Sequence, residues 1–279
     1  MPKLLDRILR TLGTGSAFLL FFFYGTFQAW AVLPLARLFA TVRGVSLAEK
    51  RRMCRRIVGR SWVFFHDYMR WLNLIDYNPR EVEAKLPDGP FVMVANHPTL
   101  IDVTALVSFH SDISIVAKTS MFNSQLLGPL LRSCWHIDGG DGGLFSGARV
   151  MTQGLERLAA GIPVVIFPEG TRSPERGLGT FRQGAYEMAV RANVPIVEAI
   201  ITCDPPTLMR GQAWYEIPPH TTRMRVSVMS VLTPPYSQQP KQLMQDAQRR
   251  YRSHLEAIGQ IDPVAKSQPT LTPATQQVA

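Results

Sequence analysis

The stretch VANHPTLID, residues 94–102, sets a protonatable ring, His97, five residues ahead of a carboxylate, Asp102. Here a strand-like run gives way to a helical one. A carboxylate in the first turn of that helix faces back toward the incoming strand. From there it can accept one imidazole N–H, fix the tautomer and leave the other nitrogen free as a base. A His/Asp pair with no attached nucleophile suits deprotonation of a hydroxyl that the substrate brings. The same residues also have a structural use. Thr99-x-x-Asp102 has the form of a capping box, and His97 ahead of Pro98 could simply fill a turn.

A second polar turn follows a second apolar run, in VVIFPEGTRS, residues 164–173. Gly170 permits a tight backbone turn, and Arg172 can grip a phosphate through two parallel N–H bonds. A Glu169/Arg172 surface pair would be the plainer interpretation of this loop. Two such turns at the carboxyl ends of two strands nevertheless match where open α/β sheets place ligands. Other chemistries lack their signatures. GLFSG (143–147) misplaces the serine of a G-x-S-x-G elbow. With no H-E-x-x-H and no clustered His/Cys set, no metal is expected. GGDGG (139–143) is not followed by Gly-Lys-Ser/Thr, so it reads as a loop.

The elements that must hold these turns are short β-rich runs separated by helical stretches. FVMVAN (91–96), ISIVA (113–117), PVVIF (163–167), PIVEAII (195–201) and MRVSVMS (224–230) read as strands. VTALVSF (103–109), the run 144–160 and the run 181–193 read as helices, the last capped by Thr180-x-x-Gln183. Alternating βα units imply a single layered α/β domain, with a mostly parallel sheet flanked by helices, over residues 79–261. Residues 262–279 have little to bury and read as a disordered tail.

Residues 1–78 differ in kind and read as a membrane-associated helical segment. Residues 11–36 carry no formal charge and include AFLLFFFYGTFQAWAVLPLA, long enough to cross or deeply enter a bilayer. Gly25, Gln28 and Pro34 make it an imperfect span. Ser46-x-x-Glu49 then opens a basic, aromatic-rich helix suited to a membrane surface. The net charge of +9 lies wholly in residues 1–60, where 11 Lys/Arg face Asp6 and Glu49; the remainder sums to zero. That argues against a nucleic-acid partner and for anionic headgroups. A cleaved secretory signal is the rival interpretation, with AWA at 29–31 as its cleavage site. Dense positive charge from Lys50 to Arg60 opposes translocation. Cys54, Cys134 and Cys203 are sparse and odd in number, as in a reducing compartment.

NHPTLID and FPEGTRS together, in this order and about seventy residues apart, resemble the paired motifs of the glycerolipid acyltransferase family. That family is typified by bacterial 1-acylglycerol-3-phosphate acyltransferases. The likeness runs from about residue 88 to about 232 and takes in Lys118, Gly128, the run 176–185 and VPIV at 194–197. It implies that His97 is a general base acting on a lysophospholipid hydroxyl and that Asp102 orients it. The hydroxyl attacks an acyl thioester directly, with no acyl-enzyme. It further implies that Glu169, Gly170, Thr171, Arg172 and Lys118 bind the acceptor. The acyl donor would be acyl-CoA or acyl-carrier protein as a substrate, with no resident cofactor. An N-terminal helical anchor would hold the protein on a bacterial-type cytoplasmic (inner) membrane, with its site on the cytoplasmic side and membrane phospholipids as partners.

Two positions depart from the family pattern. Gly139 stands where an arginine usually helps hold the acceptor phosphate, and Glu198 stands where a proline usually recurs. Loss of one charge-assisted contact costs roughly 1.5–3 kcal/mol if nothing replaces it. Two alternatives follow: the same chemistry on a non-phosphatidate acceptor, such as an ornithine-type lipid, or a non-catalytic lipid-binding relative. A secreted hydrolase behind a cleaved signal is a third.

Overall fold

A computed structural model describes residues 3–77, 86–140 and 146–262. The boundary expected at 78–79, residues 141–145 of the glycine run and helix start, and residues 263–279 of the tail lie outside the described residues. Strand β2 (Val92–Ala95) lies between β6 (Ile196–Asp204) and β5 (Val164–Ile166). Beyond β5 follow β3 (Ser114–Ala117) and β4 (Ile137–Asp138); beyond β6 follow β7 (Thr222–Leu232) and β1 (Ile75–Asp76). Every pairing is parallel except β6 with β7. The expected mostly parallel α/β sheet is therefore present, with the β7–β1 pair at its margin running opposite to the other five strands. All four residues of β2 are buried, as a parallel strand covered on both faces requires.

Helices cover both faces. On one, α3 (Leu47–Trp71) and α4 (Asp102–Phe109) pack Val58, Trp62, Phe65 and Leu106 against Met93 and Ala95. Gly59 allows their close approach, because a Cβ there would sit 2.2 Å from Ser111 Cβ. On the other face lie α7 (Ser146–Ala159), α8 (Gly184–Ala192) and α9 (Pro240–Ala257), burying Leu158, Met188, Leu243 and Ala247. Between β3 and β4 run two short helices, α5 (Thr119–Phe122) and α6 (Gly128–Ser133). Sequence patterning gave no element over 240–257. There α9 buries only Leu243, Ala247, Tyr251 and Leu255, a four-residue repeat in an otherwise polar helix.

One expected cap does not form. The residue before α8 is Gln183, with no side-chain capping bond. The chain ahead of it is committed elsewhere: Phe181 N–H donates to Gln248 and Arg182 N–H to the Pro168 carbonyl. By contrast, Ser46 and Glu49 form the full reciprocal capping box at the start of α3.

The N-terminal segment is α1 (Lys3–Phe27), five residues of π-helical backbone (28–32) and α2 (Leu33–Val42). Pro34 in the first turn of α2 has no N–H to give, which is where a widened turn is expected. Leu4–Val42 is long and apolar enough to cross a membrane, and 22% of its most apolar window is buried. Not all of the basic charge faces outward. Arg55 is buried and binds Asp112, which Arg52 also reaches at 3.0 Å, and donates to the Cys134 carbonyl. Arg51 and Arg157 sandwich Trp135 with their guanidinium carbons 3.9 and 4.0 Å from its ring. These contacts bolt α3 to the α/β domain.

Two buried histidines make the fold acid-sensitive. Burial lowers His66 from its ordinary value near 6.5 to about 4 and His136 to about 3. The Thr104 hydroxyl donates to the Ile101 carbonyl, so His66 Nε2 must donate to Thr104, leaving Nδ1 without a partner among the described residues. The unfolded chain takes up these protons near pH 6.5 and the folded chain does not. Stability is complete above pH 6.5 and is lost as pH falls toward 4. Urea midpoints at pH 7.5 and pH 5 should therefore differ more in the natural protein than in His66→Met. An equal fall in both would remove His66 as a cause.

Candidate active site

Strands β2, β5, β3 and β4 run parallel, so the turns that follow them gather at one edge of the sheet. Asn96 ends β2 by imitating a strand. Its side chain accepts from the Ile201 N–H at 2.7 Å and donates to the Ile201 carbonyl at 2.8 Å. Just upstream the Tyr251 hydroxyl lies 2.7 Å from the carbonyls of both Val94 and Ala199, clamping β2 to β6. The next residue, His97, therefore leaves the sheet from a fixed point.

His97 Nδ1 lies 2.8 Å from Asp102 Oδ2. Asp102 is fully buried in the first turn of α4 and also accepts from the Thr99 N–H and the Thr99 hydroxyl. The capping box is thus half-formed. The Thr99 hydroxyl turns to the carboxylate, accepting only a long 3.3 Å contact from the Ile101 N–H. A carboxylate acceptor makes Nδ1 the protonated nitrogen and leaves the lone pair on Nε2. Among the described residues no group bonds Nε2. The ring is 17% exposed and stacks on Phe167 with centroids 4.2 Å apart.

The second motif wraps the first. Glu169 is buried and accepts from the backbone N–H of His97 (3.0 Å), the Ser173 hydroxyl (2.7 Å) and the backbone N–H of Gly179 (2.7 Å). Ser173 N–H donates to the His97 carbonyl at 2.7 Å. Glu169 is therefore a brace behind His97, and the space at Gly179 is needed for it: a Cβ there would lie 2.6 Å from Glu169 Oε2. Glu169→Gln puts an N–H₂ where a donor now points. It should lower stability by roughly 1–3 kcal/mol, seen as a reduced melting temperature. An unchanged melting temperature would show that the brace does not matter.

Gly170 sits at φ +70 with the Arg182 guanidinium 3.2 Å from where its Cβ would be. That conformation strains any residue with a side chain. Thr171 is exposed beside it, and Arg172 gives Nη1 to the carbonyls of Leu208 and Met209, each at 3.1 Å. Lys118 is exposed at the end of β3, two strands from His97, or roughly 10 Å at the usual strand spacing. His97, Asp102, Glu169 and Gly170 thus form one contiguous cluster. Thr171 and Arg172 rim it, and Lys118 stands off to one side.

Of the two departures, Gly139 lies at the same edge, after β4. Its N–H donates to the Ala117 carbonyl at 2.8 Å, and a Cβ would stand 3.0 Å from that oxygen. An arginine at 139 would crowd β3 as it is placed here. Its neighbour Asp138 instead takes the Thr119 hydroxyl and, at 3.4 Å, Arg149. Glu198 lies elsewhere, fully buried on the α9 face between Arg250 and the Ser230 hydroxyl. Asn96, Phe167 and Ser173 were not singled out by their types alone, and Thr99 only as a helix cap. Asn96 and Thr99 sit inside the first quoted motif and Phe167 and Ser173 at the two ends of the second, which was the available signal.

Residues 77–202 match a family model described as "Acyltransferase". A 1-acyl-sn-glycerol-3-phosphate acyltransferase of Chlamydomonas reinhardtii is 33% identical over 111 residues, covering 40% of this chain and 33% of that protein. The 1-acyl-sn-glycerol-3-phosphate acyltransferase of Pseudomonas aeruginosa is 31% identical over 146 residues, covering 51% of this chain and 56% of that one. The chain spans about a third to about half of these relatives. In fold it is similar to the crystal structure of the 1-acyl-sn-glycerophosphate acyltransferase PlsC from Thermotoga maritima. That likeness has a TM-score of 0.66 at 18% identity, over 92% of this chain and 97% of that one.

Proposed function

We propose, since residues 77–202 match the acyltransferase family model, that the protein moves a fatty acyl group onto a lysophospholipid hydroxyl, such as that of 1-acylglycerol-3-phosphate. The acyl donor is a thioester of CoA or acyl-carrier protein, bound as a substrate, and no resident cofactor is needed. One observation carries the reading: His97 Nδ1 is held 2.8 Å from buried Asp102 while Nε2 has no partner among the described residues and the side chain stays partly exposed.

Nε2 removes the proton from the acceptor hydroxyl as its oxygen adds to the thioester carbonyl. Asp102 stabilises the imidazolium that results. The C–S bond then breaks, and the departing thiolate takes the proton back from Nε2. The acceptor supplies the nucleophile, so no covalent enzyme intermediate forms. Arg172, through the N–H groups its two carbonyl bonds leave over, binds the acceptor phosphate together with Lys118 across the edge. Gly170 and Thr171 line the same site. The apolar α1–α2 helix keeps the enzyme at a membrane, and the basic flank favours the cytoplasmic face of an inner membrane.

Gly139 favours a second reading of the acceptor, in which the headgroup is not a phosphate monoester. Purified protein, labelled long-chain acyl-CoA and a panel of lysolipids separate the two. Product with lysophosphatidic acid above all others is the expected result. Product only with lysolipids lacking a phosphate monoester would overturn the acceptor, and no product with either donor class would overturn the enzyme.

A further inference from the structure

The loop between β6 and β7, residues 205–221, touches both the Arg172 turn and α1. At its base the Leu208 carbonyl accepts from Leu100 N–H and Arg172, and the Met209 carbonyl accepts from Arg172. At its far side Arg10 of α1, itself buried, donates to the His220 carbonyl at 2.6 Å. Between these anchors the loop raises Trp214 and Tyr215, which are 48% and 57% exposed and pack edge to face.

Their position is set by α1. Ile8, Leu12, Leu19 and Phe22 are exposed and follow the three-and-four spacing of one helical stripe. Gly15 is the position in that stripe with no side chain. The Trp214 ring occupies the notch: a Cβ on Gly15 would lie 3.3 Å from it, and Phe18 meets it edge-on at 6.3 Å. The indole therefore continues the apolar stripe across a gap in the helix. Among the described residues neither the Trp214 N–H nor the Tyr215 hydroxyl has a hydrogen-bond partner, whereas Trp30, more exposed than Trp214, donates to the Gln125 carbonyl. An aromatic body with an unspent polar tip suits the headgroup region of a bilayer.

We infer that Trp214 and Tyr215 are a second lipid-contacting element, which enters the bilayer interface beside α1 and fixes the height of the Arg172 turn above it. This rests on the membrane-acyltransferase reading above. The occupant is lipid because the patch is continuous with the one helix, among the described residues, that is apolar enough to cross a membrane. The +9 charge of the chain favours an anionic surface.

The test uses the full chain and vesicles of phosphatidylethanolamine with phosphatidylglycerol. Trp214 fluorescence, taken as the difference between the natural protein and Trp214→Phe, should be quenched by lipids brominated near the headgroup end of the acyl chain. The Trp214→Ala/Tyr215→Ala variant should partition to vesicles about tenfold more weakly. With lysolipid presented in vesicles, its KM should rise by a similar factor at unchanged kcat, and a short-chain acceptor free in solution should be used normally. Unquenched Trp214 with unchanged partition would overturn the inference. So would a Trp214 shielded by a second copy, seen as a dimer in detergent that the double substitution separates. Partition and quenching need no activity, so an inactive protein that still docked through Trp214 would reject the enzyme reading alone.

Discussion

Replacing His97 with alanine should lower the rate of acyl transfer by about 10²–10⁴-fold, the usual contribution of a positioned general base. The fold should survive. Asp102 keeps both of its bonds from Thr99, and Glu169 keeps the backbone N–H at position 97. What is lost is one ring stacked on Phe167, worth about 0.5–1.5 kcal/mol, and the Nδ1 bond to Asp102, worth about 1.5–3 kcal/mol. KM for the acceptor should change little, because Nε2 acts on the hydroxyl in the transition state. Initial rates with a labelled thioester, beside a melting curve, check both halves. Asp102→Asn is a poorer test of chemistry. The fully buried carboxylate also holds the turn into α4, so its loss mixes tautomer and fold. Near-normal turnover by His97→Ala would remove the ring from the mechanism.

The largest expected effect on stability lies away from the site. Glu198 is wholly buried on β6, and Arg250 on α9 bonds both of its oxygens while remaining 41% exposed itself. Arg250→Ala leaves that carboxylate with only the Ser230 hydroxyl. Stranding a buried charge costs roughly 3–5 kcal/mol, and water entering beside an exposed partner should hold the loss near the lower figure. Adding Glu198→Gln removes the charge, so the double variant should recover much of the loss. The urea midpoint measures both. If Arg250→Ala and the double variant were equally unstable, the ion pair would not be the cause. The substitution at 198 is thus absorbed by α9 and does not reach His97.

The two polar turns were legible because each couples a strand pattern to residues that only a turn or a site would need together. The five longer strands were legible from apolar runs between helical stretches. The two-residue strands β1 and β4 are too short to carry a period, and α9 escaped because its apolar positions recur four residues apart in a polar helix. The Thr180 cap failed because local sequence cannot register that residues 179–182 are already held by Glu169, Gln248 and Pro168. The inward orientation of Glu169 was hidden for the same reason: its three donors come from positions 97, 173 and 179.

The most direct measurement follows two products at once, free thiol and esterified lipid, from purified protein given a labelled acyl thioester with and without lysophosphatidic acid. Direct transfer by a His97 base requires one thiol per new ester and almost no thiol without acceptor. Thiol release that ignores the acceptor, or a stable acyl adduct on the protein before acceptor is added, would contradict it.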